Sequence, residues 1–97
     1  MITVDKTEVF AKWLKKLKDR RAKAIILNHI DNMEEGKMGV VESVGGGVYE
    51  KKIDYGPGYR LYFGKHGKDY ILLLFGGDKS KQQDDINTAK SLWKELK

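Results

Sequence analysis

Apolar positions recur in three different rhythms along these 97 residues, and each rhythm predicts an element. Val9, Phe10, Trp13, Leu14 and Leu17 fall at helical spacing, with Lys12, Lys15, Lys16 and Lys18 on the other side. Thr7 or Asp5 can cap that helix, and Asp19 can cap a second one carrying Ala22, Ile26, Ile30 and Met33 inward. Gly36 ends the second helix. A period of two takes over afterwards. Val40–Val44 reads as a strand, and Gly45-Gly46-Gly47 turns the chain into a hairpin spanning Gly47–Phe63, with Tyr55-Gly56-Pro57-Gly58 at its tip. The nearly unbroken run Tyr70–Phe75 predicts a strand buried on both faces. Gly76–Lys81 reads as a polar loop. Ile86, Ala89, Leu92, Trp93 and Leu96 then return to helical spacing within Gln82–Leu96. With Ile2–Val4 as a short edge strand, the expected fold is α+β with the helices on one face of a sheet: two N-terminal helices packed on a twisted antiparallel sheet of four to five strands, plus a C-terminal helix. One domain, residues 1–97, is expected at this length.

Alternation divides the hairpin into two sides. Tyr49, Lys51, Ile53, Tyr59, Leu61 and Phe63 share the side expected to pack on helices. Glu50, Lys52, Arg60 and Tyr62 share the other, expected to be open. A carboxylate, two cations and a phenol on a rigid sheet suit binding and action on a phosphodiester; they equally suit a solvated sheet face with cross-strand pairs. Lys79 and Lys81 follow the apolar strand, either reaching a phosphate on the adjacent face or standing as exposed turn lysines. The glycines there lack the spacing of a nucleotide-hydrolysing phosphate loop.

Composition narrows the classes. The net charge of +5 favours an anionic partner, nucleic acid or an acidic protein. There is no cysteine, which excludes disulfides and thiolate metal sites. His29 and His66 show no ligand spacing, and Glu8, Glu34, Glu35 and Glu42 form no evident metal cluster. Asp84 and Asp85, in the first turn of the last helix, are explained by its dipole. The start lacks the apolar core of a signal peptide, and no apolar run reaches the ~18 residues of a membrane span, so a cytoplasmic setting is expected.

GVYE at 47–50, DYGPGYRLYF at 54–63, LLLFGGDKSKQQDDI at 72–86 and Ala89 resemble the RelE/ParE superfamily, and within it the HigB-like "addiction module killer" toxins of type II toxin–antitoxin systems. The resemblance runs from about Val9 to Trp93. It implies cleavage of mRNA on translating ribosomes, with inhibition of translation and growth arrest, and no metal or other cofactor. It also implies a HigA-like helix-turn-helix antitoxin that blocks the toxin and reaches operator DNA on its behalf. By position, Arg60 matches an arginine acting on the scissile phosphate, Lys52 a cation on the same face, and Lys79 or Lys81 a cation after the last long strand. Glu50 is then the candidate base, with Lys79 in the catalytic group, and Lys81 and Tyr62 are the candidate RNA contacts. The sequence departs from the pattern in three places: Gln82–Ile86 carries no tyrosine or histidine, Glu50 stands where some relatives have lysine, and Lys51 stands where an inward apolar residue is commoner. The superfamily also contains non-enzymatic gyrase inhibitors, and an inactive toxin homologue is a further alternative.

Overall fold

The computed structural model describes residues 1–96. The chain runs β1 (Thr3–Lys6), α1 (Glu8–Lys16), α2 (Arg20–Glu34), β2 (Val41–Gly45), β3 (Val48–Ile53), β4 (Tyr59–His66), β5 (Tyr70–Asp78), a single 3-10 turn (Lys79–Lys81) and α3 (Gln82–Leu96). Both predicted N-caps are present. The Thr7 hydroxyl accepts from the Phe10 amide at 3.0 Å, and the Asp19 carboxylate from the Arg21 and Ala22 amides at 3.0 and 3.1 Å. Each satisfies an N–H that the first helical turn leaves without a partner.

The five strands form one sheet in the order β1-β5-β4-β3-β2. Four are antiparallel neighbours, as expected; β1 instead lies parallel to β5, with Thr3 opposite Tyr70 and Lys6 opposite Leu73. Thr7 fastens the junction. Its amide bonds the Leu73 carbonyl at 3.0 Å and its hydroxyl donates to the Leu74 carbonyl at 2.8 Å, so one residue ends the strand, caps the helix and ties both to β5.

The sheet is covered on both sides. Phe10, Leu14, Ala22, Ile26 and Met33 of α1 and α2 pack on Ile53, Tyr59, Leu61, Phe63, Ile71 and Leu73. Ile86, Ala89 and Trp93 of α3 pack on Val48, Tyr62 and Leu74. The expectation that all helices share one face therefore fails for α3. A bulge in β5 gives the physical reason: Phe63 pairs with Leu73 and Tyr62 with Phe75, leaving Leu74 extra. Leu74 and Phe75 then both serve the α3 side, an apolar surface that has to be covered.

The run Tyr70–Phe75 is a strand buried on both faces, but it extends further than its apolar residues. Gly76 and Gly77, expected in a loop, lie inside β5, just before its last residue Asp78. They are strand residues without side chains because both helices press on them. A Cβ on Gly76 would lie 2.3 Å from the Trp13 ring of α1, and one on Gly77 would lie 2.0 Å from the Asp85 carboxylate of α3.

Candidate functional site

Alternation assigned the sides of the hairpin correctly, and the register brings the predicted residues together. Glu50 stands opposite Tyr62, and Lys52 opposite Arg60, which in turn is opposite Gly77 of β5. The side they share is not open, however. α3 and its first residue close over half of it, leaving Glu50 at 1% exposure and Tyr62 at 0%. Glu50 accepts a hydrogen bond from the Gln82 side chain at 2.7 Å. A general base must reach the proton it removes, and Glu50 is sealed from solvent beneath Gln82. Tyr62 likewise has no surface on which a base can stack. Burial, and next the Glu50 carboxylate, raise the Tyr62 phenol well above its ordinary value. Its hydroxyl and the Arg60 Nε are buried without a hydrogen-bond partner, two unmet polar atoms under the same helix.

The cations at the other end of this side keep their access. Lys52 and Arg60 are half-buried; Lys79 and Lys81 are exposed. Lys52 bonds Glu42 of β2 at 3.2 Å. Such a surface pair contributes only about 0–1 kcal/mol, so an incoming phosphate can displace the carboxylate. Arg60 forms no hydrogen bond or ion pair with the described residues, which leaves its terminal nitrogens for a ligand. Lys79 stands against the Gly-Pro-Gly tip of the hairpin: a Cβ on Gly58, φ 82°, would lie 3.7 Å from the Lys79 side chain. The result is a cationic rim across β3, β4 and the exit of β5, suited to gripping and neutralising a phosphodiester. Among the described residues no group of three or more acidic or histidine side chains is placed to hold a metal ion.

A cavity of about 300 Å³ opens beside this rim, lined by Trp13, Phe75, Gly76, Gly77, Asp78, Ser80, Lys81 and Asp85. Asp85, read from sequence as a dipole partner, is buried at 9% exposure and forms no hydrogen bond or ion pair with the described residues. Burial, then the Asp78 and Asp84 carboxylates, push its pKa up against the pull of Lys81. Asp78 is settled by contrast. Hydrogen bonds from the Ser80 hydroxyl and amide hold it below the usual carboxylate range as it caps the 3-10 turn. The sequence signal for this cavity was the glycine pair inside an otherwise apolar strand, which marks a close approach by something large.

The fold is RelE-like. A chain of the intact E. coli RelBE toxin–antitoxin complex superposes with a TM-score of 0.61 at 17% identity, covering 82% of this chain and 99% of that one. A conserved hypothetical protein from Helicobacter pylori superposes with a TM-score of 0.56 at 18% identity, over 82% and 97% of the two chains. No protein-family model matches the sequence. An uncharacterised protein of Haemophilus influenzae is 44% identical over 95 residues, 98% of this chain and 96% of its own, and this chain belongs to the same family as that protein.

Proposed function

We propose that this chain is the toxin of a type II toxin–antitoxin system, a HigB-like member of the RelE/ParE superfamily that cleaves mRNA on the ribosome and is neutralised by a HigA-like helix-turn-helix antitoxin. The observation that carries this reading is the cross-strand pair Lys52–Arg60 beside the exposed Lys79 and Lys81, on a RelE-like sheet. The RelBE neighbour, a toxin–antitoxin complex, supports the partner class.

The reaction is in-line attack of a 2′-hydroxyl on its own phosphate, giving a cyclic phosphate and a free 5′-hydroxyl. Arg60 clamps the phosphoryl oxygens through its guanidinium fork. Lys52, Lys79 and Lys81 neutralise the charge that accumulates in the transition state. Glu50 and Tyr62, proposed from sequence as base and RNA contact, instead form the floor under Gln82 that fixes the strands carrying the cations. The ribosome supplies the alignment of the attacking and leaving oxygens.

The test is Arg60→Ala, compared with the native sequence at matched expression in growing bacteria. Loss of one such donor lowers cleavage by about 10²–10³-fold, so growth arrest and new transcript 5′ ends both disappear while the protein stays folded. Undiminished arrest in the variant refutes the assignment of Arg60. Arrest with intact transcripts and DNA-damage signalling identifies a gyrase inhibitor, and no arrest by the native chain identifies an inactive homologue.

A further inference from the structure

The cavity between α1 and α3 is unexplained by the cleavage reaction. Its wall is a free sheet edge: β1 pairs with β5 only from Tyr70 to Leu73. From Phe75 to Asp78, alternate backbone N–H and C=O groups turn outward with no neighbouring strand to receive them. The indole of Trp13 lies on one side of this edge and the carboxyl of Asp85 on the other.

A carboxylate that is nine-tenths buried and unpaired is costly, and the cost is recovered when a cation arrives. Lys81 acts on Asp85 only through space and forms no ion pair with it, so the carboxylate keeps no direct cationic partner. Burial is the first cause of the raised proton affinity of Asp85, and the negative potential of Asp78 and Asp84 adds to it. A group entering here meets carboxylate acceptors, outward carbonyls and an aromatic ring in about 300 Å³, the lower end of the range for ligand pockets. A planar cation with several N–H donors satisfies all three at once, whereas a phosphate is repelled.

We propose that this cavity is a guanidinium site, filled by an arginine side chain of the polypeptide that neutralises the protein. The identity of that polypeptide rests on the toxin–antitoxin reading above; the chemistry of the site does not. The arginine forks onto Asp85, lies against Trp13 and donates to the carbonyls at the β5 edge. It sits beside Lys79 and Lys81, so the chain that carries it lies across the approach to the cationic rim.

The test is an amide-resolved NMR titration of the full chain with N-acetyl-arginine amide. Shifts at Gly76, Gly77 and the Trp13 indole are expected. They weaken by about tenfold in Asp85→Asn, the loss of one charged hydrogen-bonding partner. Lys81→Ala, which removes a competing cation without touching the core, is expected to tighten binding. Guanosine monophosphate is the rival probe: if it shifts the same residues and Lys81→Ala weakens it, the site belongs to RNA and the proposal fails. Tighter binding of free L-arginine than of the blocked amide, or no response to either, also overturns it. Transcript cleavage is measured separately. Loss of arginine binding with intact cleavage removes this inference alone, and the reverse result removes the catalytic reading alone.

Discussion

Lys51 is the residue whose surroundings conflict most with its chemistry. It points into the side of the sheet covered by α1 and α2 at 1% exposure, and its amine donates to the Met38 carbonyl. The backbone makes room for it at Gly39, φ 71°, where a Cβ would lie 2.7 Å from the amine. Burial lowers the Lys51 pKa below the ordinary 10.5, and its charge adds to the burial that lowers His29. The sign of the stability effect follows. Between the lowered folded value and about 10.5 the unfolded chain holds a proton that the folded chain has released, so folding stability rises with pH across that window. Below it both states are protonated and the buried charge is at its most costly. Lys51→Met, similar in volume and uncharged, is expected to remove the alkaline rise and leave neutral-pH stability equal or higher. Urea denaturation of both proteins from neutral pH to about pH 10 checks this; parallel curves reject it.

At the scale of elements, α3 is held by contacts that are largely its own. Trp93 lies at 3% exposure over Gly64, where a Cβ would come within 2.6 Å of the indole. Trp93→Ala removes the anchor at a cost of about 3–5 kcal/mol. Hydrogen exchange should then quicken in α3 while α1 and α2 keep their protection; uniform acceleration would mean that the two faces unfold as one unit. The sequence made the helices and their caps legible because their period and start signals are local. It also assigned the hairpin residues to their correct sides. It left unread what covers each side, since a helix far along the chain can pack on either. Glycine in Gly76 and Gly77 signals loop and close approach alike, and only the positions of Trp13 and Asp85 separate the two meanings. Asp85 was hidden for a similar reason: an acid in a first helical turn has a sufficient local explanation, and its burial depends on β5.

The whole molecule is a basic body with an uneven charge distribution. Lys12, Lys15, Lys16, Lys18, Arg20, Arg21 and Lys23 crowd the junction of α1 and α2. All are exposed except half-buried Lys23, whose amine bonds the Lys15 carbonyl at 3.2 Å and closes the end of α1. If this surface guides RNA toward the rim, binding falls linearly on a log–log salt plot with a slope of about −0.7 per single-strand phosphate engaged. Replacing Lys12, Lys15 and Lys16 together by glutamine should then flatten the slope by about 2, read by fluorescence anisotropy with a labelled oligoribonucleotide. An unchanged slope would mean that these lysines are only hydrated.

The parallel pairing of β1 with β5 sets a timetable for synthesis. Thr3–Lys6 are made well before Tyr70–Leu73, the residues they pair with. The nascent chain holds β1 with no strand beside it until β5 has been made. The sheet therefore cannot close on the nascent chain before β5 has emerged, however early β1 is made.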